Sequence, residues 1–360
     1  MSGLILAFLT GFIIVLVSTP VLIKVAKIKH LVDEPGDDRK VHHRSIPTLG
    51  GIMLFAGTII AYSLWFPSAE ESLGGNYDVL SALQDFKYLV ASMFILFFMG
   101  LKDDIIGMSP TKKLIIHMLV GFILVYMAGI RITNFNGLFG IYEIPGWVSM
   151  LLSLFVYIVI VNAINLIDGV DGLAGGIGFI ASVTFAVWFY QTGDYSLALL
   201  ALGLAGSLLG FLVYNFNPAK IFMGDSGSLI IGVVLYVLAI KMIEFEEYQI
   251  FETIKSPAKP VMAMAILSYP LVDTLRVFIL RVIRGRSPFS ADKNHIHHKL
   301  LSLGYSHRKT VFILYLYTLF IIGLTLSIPK TSPNISLFIV GGVALLFAQL
   351  VFFIKPKRNK

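Results

Sequence analysis

The stretch that decides the fold is NAINLIDGVDGLAGG, residues 162–176, which lies between two long apolar runs. Amides and carboxylates recur in it at every third position, at Asn162, Asn165, Asp168 and Asp171. An ionised Asp at bilayer depth costs about 2.5–3.5 kcal/mol on insertion scales. A chain that crosses a membrane here therefore needs a cation or a hydrated cleft to offset these polar groups.

The chain as a whole is strongly apolar. Of the 360 residues, 57% are hydrophobic and 14% are charged, whereas about a quarter of the residues of a soluble domain are charged. Apolar runs near the length of about 20 residues that a bilayer requires fall at 3–23, 47–66, 87–101, 114–130, 147–163, 174–191, 195–214, 227–243, 260–280, 311–328 and 336–354. We therefore expect an all-α polytopic membrane protein with about eleven transmembrane helices, in one domain over residues 1–360.

The basic residues predict the orientation. Lys24, Lys27 and Lys29 follow the first run directly, which indicates a retained helix with a cytoplasmic basic flank. With the N-terminus outside, six of the 28 Lys and Arg residues are external and the other 22 are cytoplasmic, as the positive-inside rule expects. The net charge of +7 is thus mainly a topology signal with some attraction for anionic lipid, and no nucleic-acid motif is present.

Five motif-rich loops all fall on the predicted cytoplasmic side. Besides the opening stretch, they are DEPGDDRKVHHRSIPTLGG (33–51), GLKDDIIGMSPTKK (100–113), NFNPAKIFMGDSGS (215–228) and RVIRGRSPFSADKNHIHHKLLSLGYSHRKT (281–310). The acidic residues of the external loops resemble ordinary solvated charges. We therefore expect one shared active site at the cytoplasmic face.

The acidic residues of these loops suggest a divalent cation and phosphate. Asp103 and Asp104 can act as a base, a nucleophile or cation ligands, although a solvated helix cap explains them equally well. Asp225 is flanked by glycines that permit a sharp turn, which is also typical of a plain helix N-cap. Asn165 and Asp168 are one helical turn apart. Oxygen ligands in a chain without Cys favour Mg²⁺.

The basic residues and histidines suggest anion binding. Lys113, Arg281, Arg284 and Arg286 can offset substrate phosphates, although single cations of this kind more often anchor topology. His295, His297 and His298 form the triplet HIHH, for which structural zinc is the weaker interpretation because Cys and acidic partners at familiar spacing are lacking. Basic and amide neighbours suit a phosphate or pyrophosphate better.

Taken together, these motifs resemble those of the polyprenyl-phosphate N-acetylhexosamine-1-phosphate transferases, over nearly the whole chain. RKVH (39–42) and SPFSADKNHIHH (287–298) are most similar to the bacterial branch that uses N-acetylglucosamine and undecaprenyl phosphate. The branch that transfers a peptide-bearing amino sugar usually has Lys at the position of His43 and three consecutive His in its final loop. This difference argues against the peptide-bearing substrate.

The resemblance implies that a UDP-N-acetylhexosamine and undecaprenyl phosphate react to give UMP and a lipid-diphosphate sugar, with Mg²⁺, or Mn²⁺ as a substitute. The product would initiate a cell-envelope glycan such as lipopolysaccharide O-antigen or teichoic acid, in the bacterial inner membrane. A homodimer is left open. The implied metal ligands are Asn165 and Asp225, and the implied catalytic residues are Asp103, Asp104 and Asp168. The implied substrate-binding residues are Lys113, Asp171, Arg281, Arg284, Arg286, His295, His297 and His298.

The alternative from another functional class is a transporter, in which intramembrane carboxylates carry ions or protons. Asp273 lies inside the ninth apolar run and is the residue that fits this alternative, although Arg276 could pair with it. The other cytoplasmic acids lie at the ends of runs, and the chain has no evident internal repeat. The sequence therefore favours the transferase.

Overall fold

The computed structural model describes residues 2–33, 46–67, 79–246, 258–285, 294–328 and 331–354. About 80% of the structure is helical, which confirms the expected all-α membrane fold. The helices are α1 (Ser2–Ile28), α2 (Gly50–Leu64), α3 (Val79–Ile106), α4 (Pro110–Gly121), α5 (Gly146–Leu166), α6 (Leu173–Thr192), α7 (Tyr195–Asn215), α8 (Gly224–Glu244), α9 (Lys259–Ile266), α10 (Ser268–Ile283), α11 (Ile296–Ser302), α12 (His307–Ser327) and α13 (Pro333–Phe353). α4 continues in wider turns over Phe122–Met127, and Leu138–Gly140 forms a single turn before α5.

The number of membrane spans differs from the eleven that the hydropathy pattern predicts. Among the described residues, eight helices are long and apolar enough to cross a bilayer, and the bent pair α9–α10 would make a ninth. α2 lies at a predicted span but has only 15 residues. α3 covers the predicted span 87–101 and carries charged residues toward both ends, and it is not among the eight. The count of eleven is therefore not confirmed.

α8 lies at the centre of the helix assembly. In its most apolar 18-residue window, 94% of the residues are buried, compared with 22% for α1 and for α13. α8 packs against both α3 and α5, while α1 and α13 expose large apolar side chains such as Val17 and Phe338. Because lipid-facing helices keep an apolar outer face, this arrangement is typical of a protein surrounded by a bilayer.

A short loop structure ties the first predicted cytoplasmic loop to α8. Two-residue strands β1 (Val32–Asp33) and β2 (Ile46–Pro47) pair antiparallel. The Phe222 N–H then donates to the Pro47 carbonyl at 2.7 Å, and the Gly50 N–H donates to the Phe222 carbonyl at 3.0 Å. The start of α2 is thus held against the turn that leads into α8.

The predicted span 260–280 is broken. α9 and α10 meet at an angle of 81°, with Leu267 between them. Pro270 has no N–H to donate to the Ile266 carbonyl, which is where α9 ends. The break directs α10 away from the axis of α9 and toward the segment that carries the HIHH triplet.

α3 and α8 approach closely because α3 has a glycine where the two helices meet. A Cβ on Gly100 would lie 2.4 Å from the backbone nitrogen of Ser226, far inside the normal contact distance. This close contact brings the end of α3, with its two aspartates, beside the first turn of α8.

Candidate active site

The first turn of α8 is held by a carboxylate of α3. Asp104 accepts hydrogen bonds from the backbone N–H groups of Asp225 (2.7 Å) and Ser226 (3.1 Å) and from the Ser226 hydroxyl (2.6 Å). Gly224 has φ +70°, and a Cβ there would lie 2.6 Å from the Asp104 carboxylate. A negative group at a helix N-terminus is stabilising because it meets unpaired N–H groups. Asp104 therefore fixes the position of Asp225.

Lys113 joins two carboxylates. Its ammonium donates to Asp103 Oδ2 at 2.7 Å and to Asp225 Oδ2 at 2.8 Å. Asp103 comes from the last turn of α3, and Lys113 comes from the first turn of α4, which begins with Pro110 after the Ser109 N-cap. The short α3–α4 connection thus places the ammonium between two acids that would otherwise repel each other.

Asn165 completes the group from α5. Its amide Nδ2 donates to Asp225 Oδ1 at 2.8 Å and to the Ser228 hydroxyl at 2.9 Å. Asp225 is therefore the point where side chains from α3, α4, α5 and α8 converge. Its two carboxylate oxygens are both occupied, one by Lys113 and one by Asn165.

Asp168 lies in the turn after α5, among other acids. Burial raises the pKa of Asp168 well above its usual range, and the negative charges of Asp225, Asp104 and Asp171 raise that pKa further. A carboxyl in this position holds its proton more readily than a free Asp does. The site thus concentrates negative charge that a bound cation would relieve.

Asp171 is tied to the segment between α7 and α8. Its Oδ2 accepts from Asn217 Nδ2 at 2.8 Å and from the Ala219 N–H at 3.1 Å, and His307 Nδ1 lies 3.9 Å away. The two aspartates of the IDGVDG turn thus have different surroundings. The pKa of Asp168 responds most strongly to burial and to the charge of Asp225, whereas Asp171 holds a neighbouring loop by hydrogen bonds.

The histidine triplet reaches the same turn from the other side. His297 is buried, and its Nε2 would be 3.0 Å from a Cβ on Gly169, the residue after Asp168. Its ring centroid lies 5.4 Å from that of His295 and 4.3 Å from that of His298. Burial, followed by the neighbouring His298 and His295, lowers the pKa of His297 well below its usual range. A neutral His297 therefore packs against the acidic turn, residues 167–172, which carries Asp168 and Asp171.

The three predicted arginines have different positions. Arg281 is buried in the last turn of α10, and Arg284 is exposed at the end of that helix. Arg286 lies outside the described residues. A role for Arg281 or Arg284 at a diphosphate stays a prediction.

The donor atoms around Asp225 suit a hard divalent cation. Among the described residues, no three His, Asp or Glu side chains converge closely enough to hold a metal by themselves. Mg²⁺ usually keeps several waters and is bound by one or two carboxylates together with substrate phosphates. Asp225 is a carboxylate, and Asn165 beside it carries an amide oxygen as well as the Nδ2 that donates to Asp225, so the two residues have the donor types that such an ion takes.

Several residues of the site were not singled out by sequence reasoning. Ser226 and Ser228 bond Asp104 and Asn165 respectively, and the only sequence signal for them is their place in MGDSGS. His117, one helical turn after Lys113, donates to or accepts from the Tyr157 hydroxyl at 3.2 Å. Nothing in a single sequence separates it from an ordinary buried histidine.

Comparison with known proteins finds similar chains with named activities. The model of glycosyl transferase family 4 matches residues 86–243. The chain is 33% identical, over 98% of its length and 92% of the relative, to a probable undecaprenyl-phosphate N-acetylglucosaminyl 1-phosphate transferase of Bacillus subtilis. It is 32% identical, over 87% of its length and 81% of the relative, to decaprenyl-phosphate N-acetylglucosaminephosphotransferase of Mycobacterium tuberculosis. A Yersinia pestis relative named undecaprenyl-phosphate alpha-N-acetylglucosaminyl 1-phosphate transferase is 29% identical over 87% of the chain and 80% of the relative.

Proposed function

The chain belongs to glycosyl transferase family 4, the family that its motifs resemble, and we propose that it transfers N-acetylglucosamine-1-phosphate from UDP-N-acetylglucosamine to undecaprenyl phosphate. The products are UMP and undecaprenyl-diphosphate-N-acetylglucosamine. Relatives that match most of the chain are named for transfer to undecaprenyl or decaprenyl phosphate. The glycosyl-1-phosphate transfer follows from the family, whereas the UDP donor is the proposal.

The observation that carries this proposal is the convergence of Asp103, Lys113, Asn165 and Asp225 at one end of four helices. The reaction must bring two phosphate anions together, so positive charge is needed at the point of attack. Lys113 supplies such a charge beside Asp103. A soluble nucleotide and a lipid phosphate can both reach a polar site at helix ends.

Mg²⁺, with Mn²⁺ as a substitute, is the proposed cofactor, and Asp225 and Asn165 are the residues that would hold it. When bound, the ion would offset the charge on the UDP diphosphate during transfer. Asp168 lies in the adjacent turn, and the negative charge of Asp225 raises its pKa. The excess of carboxylates at this point supports a need for a cation there.

The two aspartates of α3 have different proposed roles. Both oxygens of Asp104 are engaged by the first turn of α8, so Asp104 supports the site. Asp103 bonds Lys113 and has a partly exposed side chain, so it can meet the lipid phosphate. A phosphate monoester has a second pKa near 6 and is largely an oxyanion at pH 7. Asp103 therefore orients the attacking phosphate or removes a residual proton, and the transfer is a direct displacement.

An apolar cavity supports a lipid substrate. A cavity of about 360 Å³ lies between α5, α8 and the α9–α10 pair, and Phe155, Ala239 and Leu271 are among the residues that line it. Ala239 is 14 residues along α8 from Asp225, which corresponds to about 21 Å. An extended undecaprenyl chain is longer than this distance, so its phosphate can lie at Asp103 while distal units occupy the cavity.

The proposed setting is the bacterial inner membrane, with the N-terminus outside and the site facing the cytoplasm. UDP-sugars are cytoplasmic, and the 22 basic residues assigned to this face support the orientation. The lipid-linked sugar would start a cell-envelope glycan such as O-antigen or teichoic acid. A homodimer is compatible with the proposal and is not required by it.

One assay tests the reaction. Purified protein is incubated with undecaprenyl phosphate, Mg²⁺ and a panel of UDP-sugars, and UMP and lipid-linked product are measured. We expect both products with UDP-N-acetylglucosamine and a strong dependence on the cation. Substrate uptake into sealed vesicles without UMP release would instead support the transporter alternative.

A second assay tests direct displacement. The protein is incubated with UDP-N-acetylglucosamine in the absence of lipid, and released UMP is compared with the amount of protein. We expect no burst of UMP and no covalent phospho-sugar on Asp103 or Asp104. Stoichiometric UMP release, or a modified aspartate found by mass spectrometry, would replace the single step with a covalent intermediate.

A further inference from the structure

One face of α10 makes hydrogen bonds to residues 294–297, the segment that contains the first two histidines of the triplet. Tyr269, Asp273 and Arg276 are spaced four and three residues apart, so they lie on one side of the helix. Arg276 donates to the Asn294 carbonyl at 2.6 Å, and the Tyr269 hydroxyl lies 3.2 Å from His297 Nδ1. Asp273 contacts the two residues between these points, so the helix holds the segment along its length.

Asp273 makes the central contacts. Its side chain is fully buried, with Oδ2 2.8 Å from His295 Nδ1 and Oδ1 accepting the Ile296 N–H at 2.8 Å. A buried carboxylate without such partners would be strongly destabilising. A carboxylate without a proton only accepts hydrogen bonds, so Nδ1 of His295 is the donor in this contact when Asp273 carries its charge. Nε2, on the opposite side of the ring, is then the atom that His295 can offer to a substrate.

His295 is linked to the candidate active site through its neighbour. The rings of His295 and His297 are nearly parallel, with an interplanar angle of 11°. His297 in turn abuts Gly169, directly after Asp168. A rotation of His295 would therefore disturb the packing of the triplet against the acidic turn.

We propose that Asp273 is a positioning residue for the transfer reaction, which holds His295 with Nδ1 toward α10 and thereby directs Nε2 toward the phosphates at the acidic turn. This inference rests on the proposed function. It gives the buried acid of the ninth apolar run a role inside the transferase, in place of the ion-carrying role that a transporter would require. Asp273 acts through His295 and does not touch the substrate.

The test is a double-mutant cycle on the purified full-length protein, with kcat/KM for UMP release as the readout. Asp273→Asn keeps the size of the side chain and an oxygen for the Ile296 N–H, but it removes the charge beside His295. We expect it to lower kcat/KM roughly 10- to 100-fold, as loss of an orienting partner typically does. In a His295→Ala background the same change should cost less than about twofold, because its target is gone.

Asp194→Asn is the matched control. Asp194 is a partly buried acid at the N-cap of α7, where it accepts the Leu197 N–H at 3.0 Å, and Asp194→Asn should leave kcat/KM within about twofold of the wild type. The proposal is overturned if Asp273→Asn stays within about twofold of the wild type. It is also overturned if Asp273→Asn costs its full factor in the His295→Ala background, because Asp273 would then act independently of His295.

A measurement without turnover separates this inference from the proposed function. In ¹⁵N-histidine-labelled wild-type protein, the His295 signal, assigned by its loss in His295→Ala, should show a protonated Nδ1. An unprotonated Nδ1 would overturn the proposal. This spectrum decides the question when Asp273→Asn does not fold, and it does so even if UDP-N-acetylglucosamine proves not to be the donor.

Discussion

At the scale of single residues, Asp225 is the point on which the site depends. Its two oxygens accept from Lys113 and Asn165, and its backbone N–H is held by Asp104. Three other helices therefore meet at a single residue. A substitution at Asp225 changes the charge of the site and several of its hydrogen bonds at once. A substitution at a neighbouring residue changes only that residue's own contacts.

We expect Asp225→Asn to lower kcat for UMP release by at least about a hundredfold, because it removes a charge at the proposed cation site. Asn has one acceptor oxygen, so its amide hydrogens must face either Lys113 or Asn165. The rate is measured over a range of Mg²⁺ concentrations, with elution on size exclusion as the check on folding. A near-normal rate at low Mg²⁺ would show that Asp225 is not a cation ligand.

Asp103 and Asp104 should separate activity from stability. We expect Asp104→Asn to lower the free energy of unfolding by about 1–2 kcal/mol, since the carboxylate holds the first turn of α8. Asp103→Asn should cost less than about 1 kcal/mol because its ion pair with Lys113 is partly exposed. Thermal unfolding of the two variants in the same detergent gives the comparison. Equal losses of stability would contradict the supporting role of Asp104.

At the scale of helices, the site exists because α3 and α8 touch. Gly100 allows the backbone of α3 to reach the first turn of α8, and Gly51 of α2 makes a similar approach, since a Cβ there would lie 2.1 Å from the Gly227 nitrogen. In a membrane, small residues at helix interfaces permit packing of this kind. The same contacts that build the core therefore also align Asp103 and Asp104 with Asp225.

We expect Gly100→Ala to destabilise the protein by about 1–3 kcal/mol and to reduce activity, because the added methyl group meets the backbone of Ser226, which cannot rotate away. Gly323→Ala in α12 is the matched control, since a Cβ there meets nothing within 4 Å. That change should be neutral or stabilising by about 0.5–1 kcal/mol, as expected for Ala in a helix interior. Thermal unfolding and UMP release are measured for both. Similar effects of the two changes would argue against the close α3–α8 contact.

At the scale of the whole molecule, α8 is the central helix, and it contacts α3 near both of its ends. Its first turn carries Asp225, and near its other end Lys241 forms an ion pair with Asp85 of α3. These two contacts join α3 and α8 at both ends of the assembly. The polar site thus lies at one end of a helical bundle whose outer helices expose apolar side chains.

The orientation can be tested in this Cys-free chain. We expect Cys at the exposed position Ser302, the last residue of α11, to be shielded from a membrane-impermeant thiol reagent in intact cells. Cys at the exposed position Glu143, before α5, should be labelled. Both should be labelled after permeabilisation, which controls for accessibility. The reverse pattern in intact cells would place the site outside and remove its access to cytoplasmic nucleotide.

Much of this protein follows from its sequence alone. Apolar runs of membrane length predict an all-helical membrane protein because a bilayer leaves the backbone few other ways to satisfy its hydrogen bonds. The motifs at the ends of those runs indicate the family, which the comparisons confirm. These signals are local, since each depends on composition or spacing within one segment.

Only the tertiary structure decides how those segments meet. It assigns Asp104 to the first turn of α8, ties Asp171 to Asn217 of the segment before α8, and pairs Asp273 with His295. It also breaks the ninth apolar run and leaves the count of eleven spans unconfirmed. Each of these outcomes depends on atoms that are far apart in sequence and on contacts between backbones. Hydropathy and spacing within one chain carry no information about such distances, because many helix arrangements satisfy the same apolar pattern.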